Sequence, residues 1–150
     1  MNETIFSLAS LAAVAAWIGL AVAAAIAPGR AREGLLLVAG RVVPLALCVL
    51  YAILLVTHWR AAPGGGFSSL DAVLVLFAAP GKVLGAWVHF LAFDLFVGRW
   101  LVDDAVSPAR SRWPLWLGLP ATFLYGPIGV LLYLAGRHVA ARVRRDNAAR

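Results

Sequence analysis

An all-α, polytopic membrane protein is the fold class this chain predicts, on three observations. Hydrophobic residues make up 63% of the 150 positions and charged residues only 13%, a balance outside that of water-soluble domains. The apolar residues gather in long runs, and the breaks between them are short and dense in Pro, Gly and Arg. Each run reaches or exceeds the roughly 20 residues that a helix needs to cross a hydrocarbon core. Four transmembrane helices are expected, with a short interfacial or re-entrant helix between the second and third. All belong to a single membrane domain over residues 1–150.

The first span, residues 5–27, is stopped by Pro28-Gly29, with Arg30 and Arg32 behind. Its end, "AAAIAPG", carries the small residues of a signal-peptide cleavage site. The region ahead of the run holds Glu3 and no Lys or Arg, and the run outlasts a signal core, so a retained helix is expected. Ala15, Gly19, Ala23 and Ala27 recur every four residues, a smooth face for close helix packing. The second span, residues 35–58, is interrupted by Arg41 and Pro44 and ends in His58 and Trp59, which read as interface anchors. The glycines at 64–66 lack the Lys-Ser or Lys-Thr of a phosphate loop and predict a flexible linker. In "SSLDAVLVLFAAPG", Ser68 or Ser69 caps a short helix that Pro80-Gly81 ends, and its apolar stretch is too short to span. The third span covers residues 83–102. The fourth covers 114–136, interrupted by Gly126-Pro127, and a basic tail follows at 137–150.

The net charge of +6 does not indicate nucleic acid. Five of the thirteen basic residues (Arg137, Arg142, Arg144, Arg145 and Arg150) follow directly on a hydrophobic run, the placement of a tail that faces anionic lipid. The single Cys48 lies inside an apolar run, so no internal disulfide forms and it reads as a small buried hydrophobe. Four spans place both termini and the long loop on one side, with Arg60, Lys82 and the five tail arginines. The other side collects Arg30, Arg32, Arg110 and Arg112, with Arg41 and Arg99 inside the spans near it. Seven against six gives little bias, and the dense tail favours cytoplasmic termini. The Ala-, Arg- and Gly-rich composition points to a bacterial inner membrane.

The third span, "WVHFLAFDLFVGRWLVDD", holds ionisable groups that lipid disfavours. Eleven Val, Leu and Phe residues at 83–102 favour insertion by about 5 kcal/mol in all, and Asp94 near the midpoint costs roughly 2.5–3.5 kcal/mol. With His89 and Arg99 added the sum is close to zero, so this helix needs partners in a bundle. At about 100° per residue, Asp94 points about 140° away from His89, while Arg99 and Asp103, at i and i+4, can pair. Two polar faces predict a central helix. Arg41 on the second span falls at a depth within reach of Asp94 or Asp103, and Tyr125 with Gly126-Pro127 falls level with His89 to Asp94. Pro127 cannot donate to the carbonyl of Phe123 and so frees an acceptor at mid-membrane. Structural readings stand beside these: a surface ion pair for Arg99–Asp103, an interhelical hydrogen bonder for His89, an ion pair for Asp94, a kink for Pro127. A metal centre is not expected, because His89, Asp94 and Asp103 lack ligand spacing on one face. No cofactor is expected.

These residues carry a resemblance. Trp87 and His89, then Phe93-Asp94-Leu95, then Asp103, then Gly126-Pro127-Ile128-Gly129 to Tyr133, resemble the abscisic-acid-deficient-four-like family, relatives of plant neoxanthin synthase. The likeness covers about half the chain. It implies acid/base isomerisation of an epoxycarotenoid: the epoxide opens as its oxygen is protonated, and a nearby carbon loses a proton. By that resemblance His89 and Asp94 are the catalytic candidates, with Tyr125 as a donor and Arg41 setting the charge of Asp94. Trp87, Phe93, Arg99, Asp103, Gly126, Pro127 and Tyr133 form a substrate-binding or structural network. Expected partners are membrane lipids and a carotenoid or other isoprenoid ligand, with self-association into a homo-oligomer left open. Two other functions compete: a non-catalytic lipid- or pigment-binding helper of a partner enzyme, and a small proton-coupled transporter.

Overall fold

The structure, a computed structural model, describes residues 1–106 and 111–148. Arg110 and Arg150, counted above in a loop and the tail, lie outside the described residues. In chain order the helices are α1 (Asn2–Ala25), α2 (Arg30–Thr57), α3 (Leu70–Phe77), α4 (Pro80–Ala105), α5 (Trp113–Tyr125) and α6 (Pro127–Ala148). Among the described residues no strand occurs. The expected all-helical class holds. Helices α1, α2 and α4 have 24, 28 and 26 residues and are apolar enough to cross a membrane. At 1.5 Å per residue they reach about 36–42 Å, beyond the roughly 30 Å of a hydrocarbon core.

Helix α4 is central and packs against every other helix. Helix α1 runs parallel to it: the Trp87 indole N–H donates to Ser10 Oγ at 3.0 Å, and further along both helices Gly98 lies under the Trp17 ring. Helix α2 runs antiparallel, with Gly81 under His58 at one end and Gly40 under Arg99 at the other. These glycines are contact points: a Cβ on Gly98 would stand 2.6 Å from the Trp17 ring. The buried stripe of α1 is Ala9, Ala13, Ala16, Leu20 and Ala23, while Ala15 and Ala27 of the expected stripe are exposed. The reason is geometric: a strict four-residue step drifts by about 40° per repeat, whereas alternating steps of four and three hold one face. Gly19 still does what was expected, since its Cβ would touch Ala39 at 3.0 Å.

Pro44 distorts α2 without ending it. A proline lacks the N–H that a regular turn would donate, and its ring collides with the preceding turn. The chain answers with a π-type turn at Val38–Val42, which widens the helix just ahead of Pro44. Beyond α2, the glycine linker is not loose. Gly65 packs so closely on Leu76 that a Cβ would stand 2.7 Å from its Cα, and the Gly66 N–H donates to Ala72 O at 3.0 Å. The linker is therefore folded back onto α3, which begins as expected, with Ser69 Oγ accepting from the Ala72 N–H at 3.1 Å.

The fourth expected span is a hairpin, not a crossing. Chain reversal occurs at Gly126, whose φ of +50° favours glycine. On either side, Thr122 meets Gly129, Gly118 meets Tyr133, and Pro114 meets Gly136, so α5 and α6 lie antiparallel. The tip reaches Asp94 at the middle of α4, where a Cβ on Gly126 would stand 3.4 Å from Asp94 Oδ1. The base sits at the end of α4, where Asp104 Oδ2 accepts from the Tyr133 hydroxyl at 2.5 Å and from Arg137 Nη1 at 2.6 Å. A hairpin with 13 residues in its first arm spans only about 20 Å, so it enters the bundle and leaves on the same side. The two termini accordingly lie at opposite ends of the bundle, which corrects the expectation that they share a side.

Candidate functional site

Helix α4 presents its ionisable groups on two separated faces. On the first, Gly81, Lys82, Gly85, Ala86, His89 and Phe90 line a cavity of about 640 Å³, bordered by the end of α2, the glycine linker and α3. The size is that of a small-molecule pocket. His89 lies deepest along α4 among its polar side chains. Its ring stacks on Phe93 at 4.6 Å between centroids and meets Tyr51 of α2 at 5.3 Å. At the rim the Lys82 ammonium lies 5.4 Å from the centre of the Trp59 ring, a cation–π contact suited to the headgroup zone. The pocket forms here because small residues on α4 (Gly81, Gly85, Ala86) face large ones on α2 and the linker (Tyr51, Leu54, Trp59, Phe67), leaving room between the backbones.

The second face is met by the hairpin. Half-buried Asp94 points at the hairpin tip. A carboxylate beside the first residues of α6 lies at the end where the helix dipole favours negative charge. The hairpin arms close tightly behind it: Thr122 is fully buried and returns its hydroxyl to Gly118 O at 2.8 Å, and a Cβ on Gly129 would overlap the Thr122 backbone nitrogen. The cavity that holds His89 does not include Asp94. The two groups thus diverge on α4 as helix geometry requires.

A third polar group of α4 closes the bundle end. Arg99 Nε pairs with Asp103 Oδ2 at 2.6 Å, the expected i,i+4 contact, and its Nη1 donates to Leu36 O at 2.6 Å just ahead of the widened turn in α2. Arg41, expected opposite Asp94, is exposed and reaches neither Asp94 nor Asp103. The wide turn rotates it outward, while Arg99 lies across Gly40 and fills the gap. Tyr125, expected level with His89 to Asp94, stands at the hairpin tip beside the level of Asp94, 65% exposed and outside the cavity lining. Trp87 packs on Phe6 and Ser10 of α1 and does not line the cavity. Phe93 backs His89. Gly126 and Pro127 form the tip, and Tyr133 is 1% exposed at the base.

Three contributors were not nominated from sequence: Tyr51, Lys82 as a rim residue, and Asp104. Tyr51, Leu54, Leu55 and Trp59 follow a four- and three-residue spacing that marks one face of α2, and that signal was available. Nothing local links Asp104 to Arg137.

Comparison with known proteins agrees with the helical membrane architecture. The family model described as ABA DEFICIENT 4-like matches residues 4–133, which takes in α1 to α5, the hairpin tip and the first turns of α6. No curated protein and no solved structure matches.

Proposed function

The chain belongs to the ABA DEFICIENT 4-like family, and from that premise we propose an intramembrane acid/base enzyme of the isomerase type, acting on a carotenoid or other isoprenoid lipid. The observation that carries this reading is His89 at the floor of an aromatic cavity of about 640 Å³. Its largely apolar walls suit an isoprenoid end group. Isomerisation by epoxide opening needs one proton delivered to oxygen and one removed from carbon, with no net change. A neutral imidazole carries a donor and an acceptor nitrogen on one ring, so His89 is suited to both transfers, with the Tyr51 phenol beside it as a second donor. Asp94 is left out of the chemistry, because it faces the hairpin and not the cavity. Its role in this reading is to hold the tip in place.

Binding without turnover is the second reading, favoured by the stacking of His89 on Phe93, which a merely structural imidazole would also adopt. Chromatography of pigment and lipid extracts from a host with and without the gene separates the two. A converted isoprenoid that disappears in His89→Gln, while the unconverted ligand still co-purifies, supports the enzyme. Stoichiometric ligand released unchanged from the wild-type protein defeats it.

A further inference from the structure

The hairpin changes which charges share a side of the membrane. With three crossings, one end of the bundle gathers Met1, the end of α2, the linker, α3 and the start of α4. The other gathers the end of α1, the start of α2, the end of α4, the hairpin base and the tail. Among the described residues outside the membrane-embedded core, the first end holds Arg60 and Lys82, two basic residues. The second holds Arg30, Arg32, Arg112, Arg137, Arg142, Arg144 and Arg145, seven. Arg41 and Arg99 lie within the bundle nearer that same end. Four spans would leave the two sides almost equal; folded as three crossings, the chain is strongly asymmetric. Lys and Arg next to a membrane span are retained on the cytoplasmic side during insertion.

We infer that the hairpin base and basic tail face the cytoplasm, and that the aromatic pocket opens at the opposite surface and takes its ligand from the non-cytoplasmic leaflet. The rim residues agree. Trp59 and Lys82 are the kinds of side chain that settle at a membrane interface, and His89 lies seven residues further along α4, about 10 Å deeper. A ligand reaching His89 is therefore a lipid-soluble molecule whose end group lies within the outer half of the bilayer. The charge asymmetry stands on its own; the ligand's route rests on the reading of the pocket as the functional site.

Single cysteines in a Cys48→Ala background test both parts. In spheroplasts of a bacterial host, a membrane-impermeant maleimide is expected to label Ser68→Cys, beside the pocket mouth, before lysis. It is expected to label Ala141→Cys, on the tail, only after lysis. The reverse pattern overturns the orientation, and labelling of both from one side overturns the hairpin. A fluorescent protein fused to the C-terminus that folds only in the cytoplasm gives a second measure: bright cells agree, and dark cells with normal protein levels do not. For the route, geranylgeraniol added to intact spheroplasts is expected to slow labelling of Phe67→Cys at the pocket mouth several-fold, with Ser68→Cys unaffected. No protection, with the labelling sides as expected, sinks the ligand route and the pocket reading while the orientation survives.

Discussion

The two faces of α4 each carry an ionisable side chain near the middle of an apolar helix, and they accommodate it by opposite means. The His89 face is open: small residues at 81, 85 and 86 leave a cavity, and aromatic rings surround the imidazole. The Asp94 face is shut by a hairpin whose arms touch through glycine. The first borders a cavity; the second packs against a hairpin tip. The difference teaches that the cost of placing an ionisable group in an apolar helix does not fix its role; its neighbours decide what it can do.

The comparison can be broken most directly at the shut face. Gly129→Val would drive a branched side chain into the Thr122 backbone, and the hairpin cannot close. A loss of at least about 4 kcal/mol is expected, read as aggregation or a lost monodisperse peak in detergent; a normally folded variant refutes the packing described. At the open face, His89→Gln is expected to lower turnover at least about 100-fold with thermal stability unchanged, whereas Asp94→Asn keeps turnover within a few-fold. If the two variants exchange behaviour, the assignment of roles is reversed. At the hairpin base, Asp104→Ala removes the acceptor shared by Tyr133 and Arg137 and is expected to cost about 1.5–3 kcal/mol, measured as a lower unfolding midpoint, with ligand retained. The smallest effect is set by Trp87, outside the pocket: Trp87→Phe loses the hydrogen bond to Ser10, worth about 1 kcal/mol, and leaves ligand binding as it was.

Much of this was legible in the sequence, for identifiable reasons. Hydropathy marks α1, α2 and α4, because crossing a membrane demands long apolar runs. The Ser69 cap and the Arg99–Asp103 pair follow from local spacing. The angular divergence of His89 and Asp94 follows from helix geometry alone. The hairpin did not follow, since residues 114–136 have the length and polarity of a span, and a Gly-Pro pair signals a kink as readily as a reversal. What decides is the small residues at 118, 129 and 136, which let two arms meet around Gly126. The wrong partner for Asp94 came from counting depth along a regular helix. The turn at Val38–Val42 breaks that count, and Arg41 swings away.

That same turn has a consequence for how tolerant the chain is to losing a residue. A π-type turn absorbs one extra residue, so the helix beyond it keeps the phase it would have had without that residue. Removing one position within Val38–Val42 would leave the ring of Tyr51 still turned towards α4, while Pro44 would then strain the narrowed turn. The same loss between Pro44 and Tyr51 would spin everything upstream or downstream by about 100° and part the phenol from the imidazole. The extra residue in α2 thus makes room for Pro44 without changing which face carries Tyr51.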